Sequence, residues 1–191
     1  TGYHFVRWND GDTNATRTIS VSGNANYIAT FAINPYTVTV SANDNTMGTA
    51  IGGGTYNYGT IISITAIANT GYHFVQWNDG NTDNPRNIVV TEDITYTAEF
   101  AANTYTVSTK VNDDAMGSVS GAGPYLYTAE ATLTATANPF YRFVQWSDGI
   151  TDNPRVVMVE KDSLFTAEFE IETFNVVAAS GEPDRGRVKV I

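Results

Sequence analysis

Gly71-Tyr72-His73-Phe74-Val75-Gln76-Trp77-Asn78-Asp79-Gly80 is the stretch around which the chain is organised. It recurs as Gly2-Tyr3-His4-Phe5-Val6-Arg7-Trp8-Asn9-Asp10-Gly11 and as Tyr141-Arg142-Phe143-Val144-Gln145-Trp146-Ser147-Asp148-Gly149, so that Trp8, Trp77 and Trp146 stand 69 residues apart. The same step relates Phe31, Phe100 and Phe169, and the pairs Met47-Gly48, Met116-Gly117 and Arg185-Gly186, without insertion or deletion. About half the positions of 36–104 recur unchanged in 105–173. A fixed period of this kind marks a tandem array. We divide it into the back part of a copy (1–34), two complete copies (35–103 and 104–173) and the front part of a further copy (174–191). A phase starting at Gly54, with units 54–122 and 123–191, fits the same period and would pair a strand at 174–180 with the preceding copy.

Each copy reads as short strands. Large or apolar residues alternate with small polar ones in Tyr36-Thr37-Val38-Thr39-Val40-Ser41-Ala42, in Ile62-Ser63-Ile64-Thr65-Ala66 and in Ile94-Thr95-Tyr96-Thr97-Ala98-Glu99-Phe100, which is the period-two signature of a half-buried sheet. Aligning the copies sets Ile62, Ile64, Ala66 and Ala68 against Ala131, Leu133, Ala135 and Ala137, while Ile61 meets Glu130; the first set is therefore predicted to point inward, with Ile88 and Val90 from the following strand. Positions 73 and 76 vary between copies, as His or Arg and as Arg or Gln, and lie three apart. That spacing predicts a bulge near Val75 and Gln76 that returns Trp77 to the core side. The predicted fold is all-β: tandem 69-residue copies, each a small antiparallel β-sandwich with a core of Tyr72, Phe74, Trp77 and Phe100, or Tyr141, Phe143, Trp146 and Phe169. The connector Ala101-Ala102-Asn103-Thr104 contains neither Gly nor Pro, which predicts a semi-rigid rod.

Composition removes several functions. Lys and Arg number 10 against 20 Asp and Glu, a formal charge of -10, and such a surface repels phosphate backbones and anionic lipid; we expect no nucleic-acid partner and no membrane insertion. With no Cys there is no thiol catalysis and no thiolate metal site. The two His, His4 and His73, share one outward position that Arg142 fills in the third copy, so a required base would be missing there. No catalytic residue and no bound cofactor is expected.

Two binding chemistries stand beside the structural reading. Asp79, Asn81 and Asp83, like Asp10, Asp12 and Asn14, have the one-three-five spacing of calcium loops, although Ile150 interrupts the set in the third copy and no acid follows at the twelfth position. An Asp-Gly hairpin accounts for the same residues. The aromatic residues offer a glycan surface: Trp8, Trp77 and Trp146 as platforms, with Tyr56, Tyr58, Tyr125 and Tyr127 beside them. A small sandwich needs its Trp for the core, which leaves the tyrosines as the better candidates for ligand contact. Asn14-Ala15-Thr16 has the form of a glycosylation sequon, and Asp162-Ser163-Leu164 has the form of a Bacteroidales O-glycosylation triplet.

The run G-Y-x-F-V-x-W-x-D-G, preceded by Tyr58-Gly59-Thr60 and closed by Thr97-Ala98-Glu99-Phe100, resembles the divergent internalin B-repeat family, also called the Listeria-Bacteroides repeat. The likeness covers essentially the whole chain. It implies a bacterial cell-surface or secreted module that serves as a stalk in an adhesin-like protein, or as an adhesive module for a host glycan or protein. Asn84-Pro85-Arg86 and Glu92-Asp93-Ile94-Thr95-Tyr96 look like copies from Bacteroidales. The family also implies a β-grasp-related fold with one helix before the G-Y-x-F motif, whereas Ile61 to Ala68 alternates like a strand, and family copies often end in Trp where this chain has Phe. The expected partners are neighbouring repeats of the same chain, with head-to-tail self-association through open strand edges as a further expectation.

Overall fold

A computed structural model describes residues 2–177, and all regular elements among them are strands. The chain forms two units, residues 1–103 and 104–191. In the first, β1 (Tyr3–Trp8) and β2 (Ala29–Ile33) make a two-stranded antiparallel sheet. A complete copy follows: β3 (Pro35–Ala42), β4 (Gly48–Ile51), β5 (Gly54–Asn57), β6 (Ile61–Ala68), β7 (Tyr72–Trp77), β8 (Arg86–Val89) and β9 (Ile94–Ala102). These seven strands build a four-stranded sheet in the order β5-β3-β9-β7 and a three-stranded sheet in the order β4-β6-β8. Between them lie Val38, Ala98, Phe100, Tyr96 and Trp77 from the first sheet, and Ile62, Ile64, Ala66 and Ile88 from the second. The sequence alternates because one face of each sheet is wet and the other is shared.

One pair departs from the all-antiparallel expectation. β3 runs parallel to β9, with Val38 opposite Ile94 and Ala42 opposite Ala98. Parallel neighbours need a long crossover, and here β4 to β8 supply it, passing through both sheets: the strand that opens a copy lies against the strand that closes it. Alternation is identical in either direction, so the sequence pattern does not distinguish the two.

The bulge falls where the sequence places it. Phe74 pairs with Phe100 and Gln76 with Glu99, leaving Val75 as the extra residue, and the same irregularity separates Phe5 from Arg7 and Phe143 from Gln145. Its effect is to seat Trp77 in the core, 0% exposed. Phe74 packs half-buried on that core, edge-on to Phe100 at 6.1 Å between centroids. Tyr72 and Tyr141 are corrections. They begin the bulged strands, opposite Ala102 and Ile171 at the sheet margin, and are only half-buried there. Ala68 is exposed for a related reason, since its partner Gly48 ends the ladder.

Asparagine side chains extend the backbone ladders. The Asn84 amide accepts from Ala66 N–H (2.9 Å) and donates to Ala66 C=O (2.8 Å), continuing the β6–β8 pairing into the turn. Asn43 does the same for β9, accepting from Phe100 N–H (3.0 Å) and donating to its C=O (3.2 Å). A primary amide reproduces the donor and acceptor of a peptide, so backbone groups at the ends of the strands are not left unpaired.

The second unit repeats this plan with β10 (Thr104–Val111), β11 (Gly117–Ser120), β12 (Gly123–Leu126), β13 (Glu130–Ala137), β14 (Tyr141–Trp146), β15 (Arg155–Met158) and β16 (Ser163–Ile171), in sheets β12-β10-β16-β14 and β11-β13-β15. Its core holds Val107, Ala131, Leu133, Ala135, Trp146, Val159, Ala167 and Phe169. Residues 174–177 carry no strand, and the remainder of the strand expected at 174–180 lies outside the described residues.

Residues 2–34 align with the second half of a complete copy and differ from it in burial. Phe31 is 60% exposed where Phe100 is 4%, and Val21 86% where Val90 is 1%. In the complete copy Phe100 and Val90 belong to a core cluster with Val38 of β3 and Ile62, Ile64 and Ala66 of β6, strands that have no counterpart in 2–34.

Candidate functional site

In each copy the Trp that ends the bulged strand is followed two residues later by Asp and nine residues later by Arg: Trp8, Asp10, Arg17; Trp77, Asp79, Arg86; Trp146, Asp148, Arg155. The turn folds back on the ring. Trp77 N–H donates to Asn81 C=O at 2.8 Å, and its indole Nε1–H donates to Asp83 C=O at 2.9 Å, as Trp8 does to Asn14 and Trp146 to Asp152, both at 2.9 Å. Arg86 pairs with Asp79 at 2.7 Å and lies 4.8 Å over the Tyr96 ring. Arg155 pairs with Asp148 at 2.7 Å and lies 5.0 Å over Phe165. Arg17 holds Asp10 at 2.7 Å and sits 5.1 Å over Trp8. The guanidinium thus neutralises the turn and covers an aromatic face with its cation.

This knot gives the candidate calcium residues another role. Asp79 Oδ1 accepts from Asn81 N–H (3.2 Å), and Asn81 Oδ1 accepts from Asp83 N–H (2.8 Å). Asp10 and Asp12 repeat the two rungs towards Asp12 and Asn14 at 3.2 and 2.9 Å. The one-three-five spacing is that of successive Asx turns, each side chain capping the amide two residues on. Ile150 interrupts it because it can receive a rung, from its own N–H to Asp148 at 3.4 Å, but has no oxygen to offer the next. Among the described residues no three acidic or His side chains converge in a group that could hold a metal ion.

The tyrosines proposed for ligand contact are half-buried and engaged. Tyr56 packs on the core and donates its hydroxyl to Gly52 C=O at 3.0 Å, and Tyr125 donates to Gly121 C=O at 2.9 Å. Both brace the Gly-rich arm that joins the two sheets. Tyr58 lies 6.3 Å from Tyr36, its ring so close to Gly2 that a Cβ there would fall 2.3 Å from Tyr58 Cδ1; Tyr127 pairs with Tyr105 in the same way at 6.3 Å. Within the first unit, Asn34 completes the joint between the leading strands and the complete copy, donating its N–H to Gly2 C=O (2.8 Å) and accepting from Tyr58 N–H (2.9 Å). His4 Nδ1 meets the Asn34 amide oxygen at 2.7 Å, and His73 meets that of Asn103 at 2.8 Å; Arg142 instead pairs with Glu170. Each histidine thus has an asparagine side chain as its hydrogen-bond partner. An open depression of about 510 Å³, lined by Ile150, Asp152, Asn153, Pro154, Arg155 and Val156, has no aromatic wall.

The comparisons agree with the period. The sequence profile of the divergent InlB B-repeat domain matches residues 1–35, 36–104 and 107–173. The chain belongs to the divergent InlB B-repeat family. Divergent InlB B-repeats generally occur in surface or secreted bacterial proteins. No curated protein and no solved structure matches the chain. The feature of this InlB B-repeat chain that sequence reasoning missed is the arginine. Its signal was present, an identical residue at a constant offset from each Trp, but its contact is made only once the turn closes over Tyr96 or Phe165.

The Arg–Asp pairs carry a pH signature. The hydrogen bond from Arg155, with help from Ile150 N–H, holds the Asp148 carboxyl below its ordinary 3.8. Burial pushes Asp79 upward, but Arg86 and Asn81 N–H together outweigh it and leave its carboxyl below that value as well. A carboxyl depressed in the folded state contributes stability above its unfolded value and loses it as pH falls through the folded value. Melting temperatures should therefore drop as pH is lowered below about 4. A double variant, Asp79→Asn with Asp148→Asn, should start lower at neutral pH and lose less on acidification. Parallel curves for the two proteins between pH 6 and pH 2 would contradict this.

Proposed function

We propose that the chain is a non-enzymatic spacer in a bacterial surface or secreted protein, each copy contributing a self-contained folded length. The observation that carries this is where the aromatic residues are spent: Trp77 and Trp146 are fully buried, with the indole N–H bonded to the backbone of their own turn, and the tyrosines beside them brace the Gly-rich arm and the joint. A glycan platform needs ring faces open to solvent. The acidic surface keeps neighbouring arrays apart and soluble. An adhesive module is the alternative, and it would place its contacts elsewhere. Residues 1–191 applied to a glycan array and to immobilised host matrix proteins should show no saturable binding, with tryptophan emission blue-shifted and unchanged by polysaccharide. Saturable binding accompanied by a change in emission would overturn the spacer reading in favour of adhesion.

A further inference from the structure

We infer that each complete copy is a shear clamp, built to carry tension from the residue that enters it to the residue that leaves it. The inference rests on the spacer reading and adds a physical demand to it. Tension along the chain enters a copy at the start of β3 and leaves at the end of β9, and these two strands are direct, parallel neighbours. Pulling Pro35 and Ala102 apart draws β3 towards its own N-terminus and β9 towards its C-terminus. The rungs from Val38–Ile94 to Ala42–Ala98 are then strained together, along the strand axis, and none can fail alone. Antiparallel terminal strands loaded from a shared end would open one rung at a time.

The ladder is reinforced at both ends by side chains. At its entry, Thr37 N–H donates to Asp93 Oδ1 at 2.6 Å. At its exit, Asn43 N–H donates to Ala98 C=O at 2.9 Å, and the Asn43 amide grips both backbone groups of Phe100. The second copy repeats each feature: β10 is parallel to β16, Thr106 N–H meets Asp162 at 2.7 Å, and the Asn112 amide grips Phe169 at 2.8 and 3.0 Å. One face of each clamp is dry, since Val38 and Ala98, or Val107 and Ala167, are buried beneath it; water cannot readily replace a strained rung from that side. In residues 2–34, β2 has only the antiparallel partner β1, so that part has no clamp and should yield without a force peak.

Single-molecule pulling on the full chain tests this. Held by its two termini, the protein should show two high-force events, each releasing about 230–250 Å of contour length for a 69-residue copy before subtraction of the folded span. The absence of native Cys allows a second geometry: Thr37→Cys with Glu92→Cys attaches the handles at the same end of β3 and β9, and the first copy should then open at a several-fold lower force. Two amide variants separate clamp from general stability. Asn43→Ala should lower the terminal-pulling force of the first copy. Asn84→Ala, which removes the equivalent amide from the other sheet, should lower the melting temperature and leave that force unchanged. Equal forces in the two pulling directions, or an equal loss of force in both variants, would overturn the clamp. Ligand binding in the array experiment would overturn the spacer reading and leave the directional contrast intact, so the two failures are distinguishable.

Discussion

Trp77→Ala is expected to unfold the first complete copy well below the temperature at which the second melts. Truncation of a fully buried Trp typically costs about 3–5 kcal/mol, and a domain of this size loses roughly 4–8 °C per kcal/mol, so a fall of more than about 12 °C is expected. Two losses combine. The cavity lies between the sheets, walled by Phe74 at 5.5 Å and Tyr96 at 6.4 Å between centroids, side chains held by their own strands and unable to collapse into it. Asp83 C=O also loses its indole donor. Trp77→Phe, which keeps a six-membered ring but loses the N–H donor and part of the ring volume, should fall between Trp77→Ala and the unaltered protein. Calorimetry on Trp77→Ala and Trp146→Ala should show a displaced transition for the altered copy in each case. A shift of only a few degrees would mean that the ring is not central to the core.

Gly121→Ala is the second large effect, at about 2–5 kcal/mol from combined overpacking and backbone strain. Gly121 has φ +102, and a Cβ built there falls 2.1 Å from Thr132 C=O. That oxygen belongs to the backbone of β13 and cannot move without disturbing Ala131 and Leu133, both fully buried. Gly149 provides the control. Its φ is +82, but a Cβ there meets nothing within 4 Å, so Gly149→Ala should cost only the left-handed penalty of about 1–2 kcal/mol. Denaturant unfolding of the two variants separates contact from conformation. Equal losses would mean that the approach to β13 relaxes freely.

Much of the fold was legible before any coordinate. The alternation at Ile62, Ile64 and Ala66 gave the inward face of β6, and the unlike residues at positions 73 and 76 gave the bulge, because each reflects a local geometric constraint repeated in every copy. What remained hidden was tertiary. The direction of β3 against β9 leaves no mark on a period of two. Asn43 and Asn84 look like turn residues because they are turn residues; their second use, as surrogate peptide groups, depends on strands that arrive from 57 and 18 positions away. Tyr72 was misplaced because aromatic character predicts burial only on average, and a strand's first residue meets the margin of its sheet. At the candidate site, the spacing of Asp79, Asn81 and Asp83 was visible in the sequence, but Asx turns and cation loops ask for the same oxygens, and the Arg86 partner of Asp79 comes into view only in three dimensions.

Both sheets of a complete copy are drawn from its own residues, and a single residue, Asn103, separates β9 from β10. An in-frame duplication or deletion of 69 residues, wherever its breakpoints fall, therefore restores the same strand order and the same short junction. Whole copies can thus be added or removed as intact folded units, because no strand of one complete copy is borrowed from another.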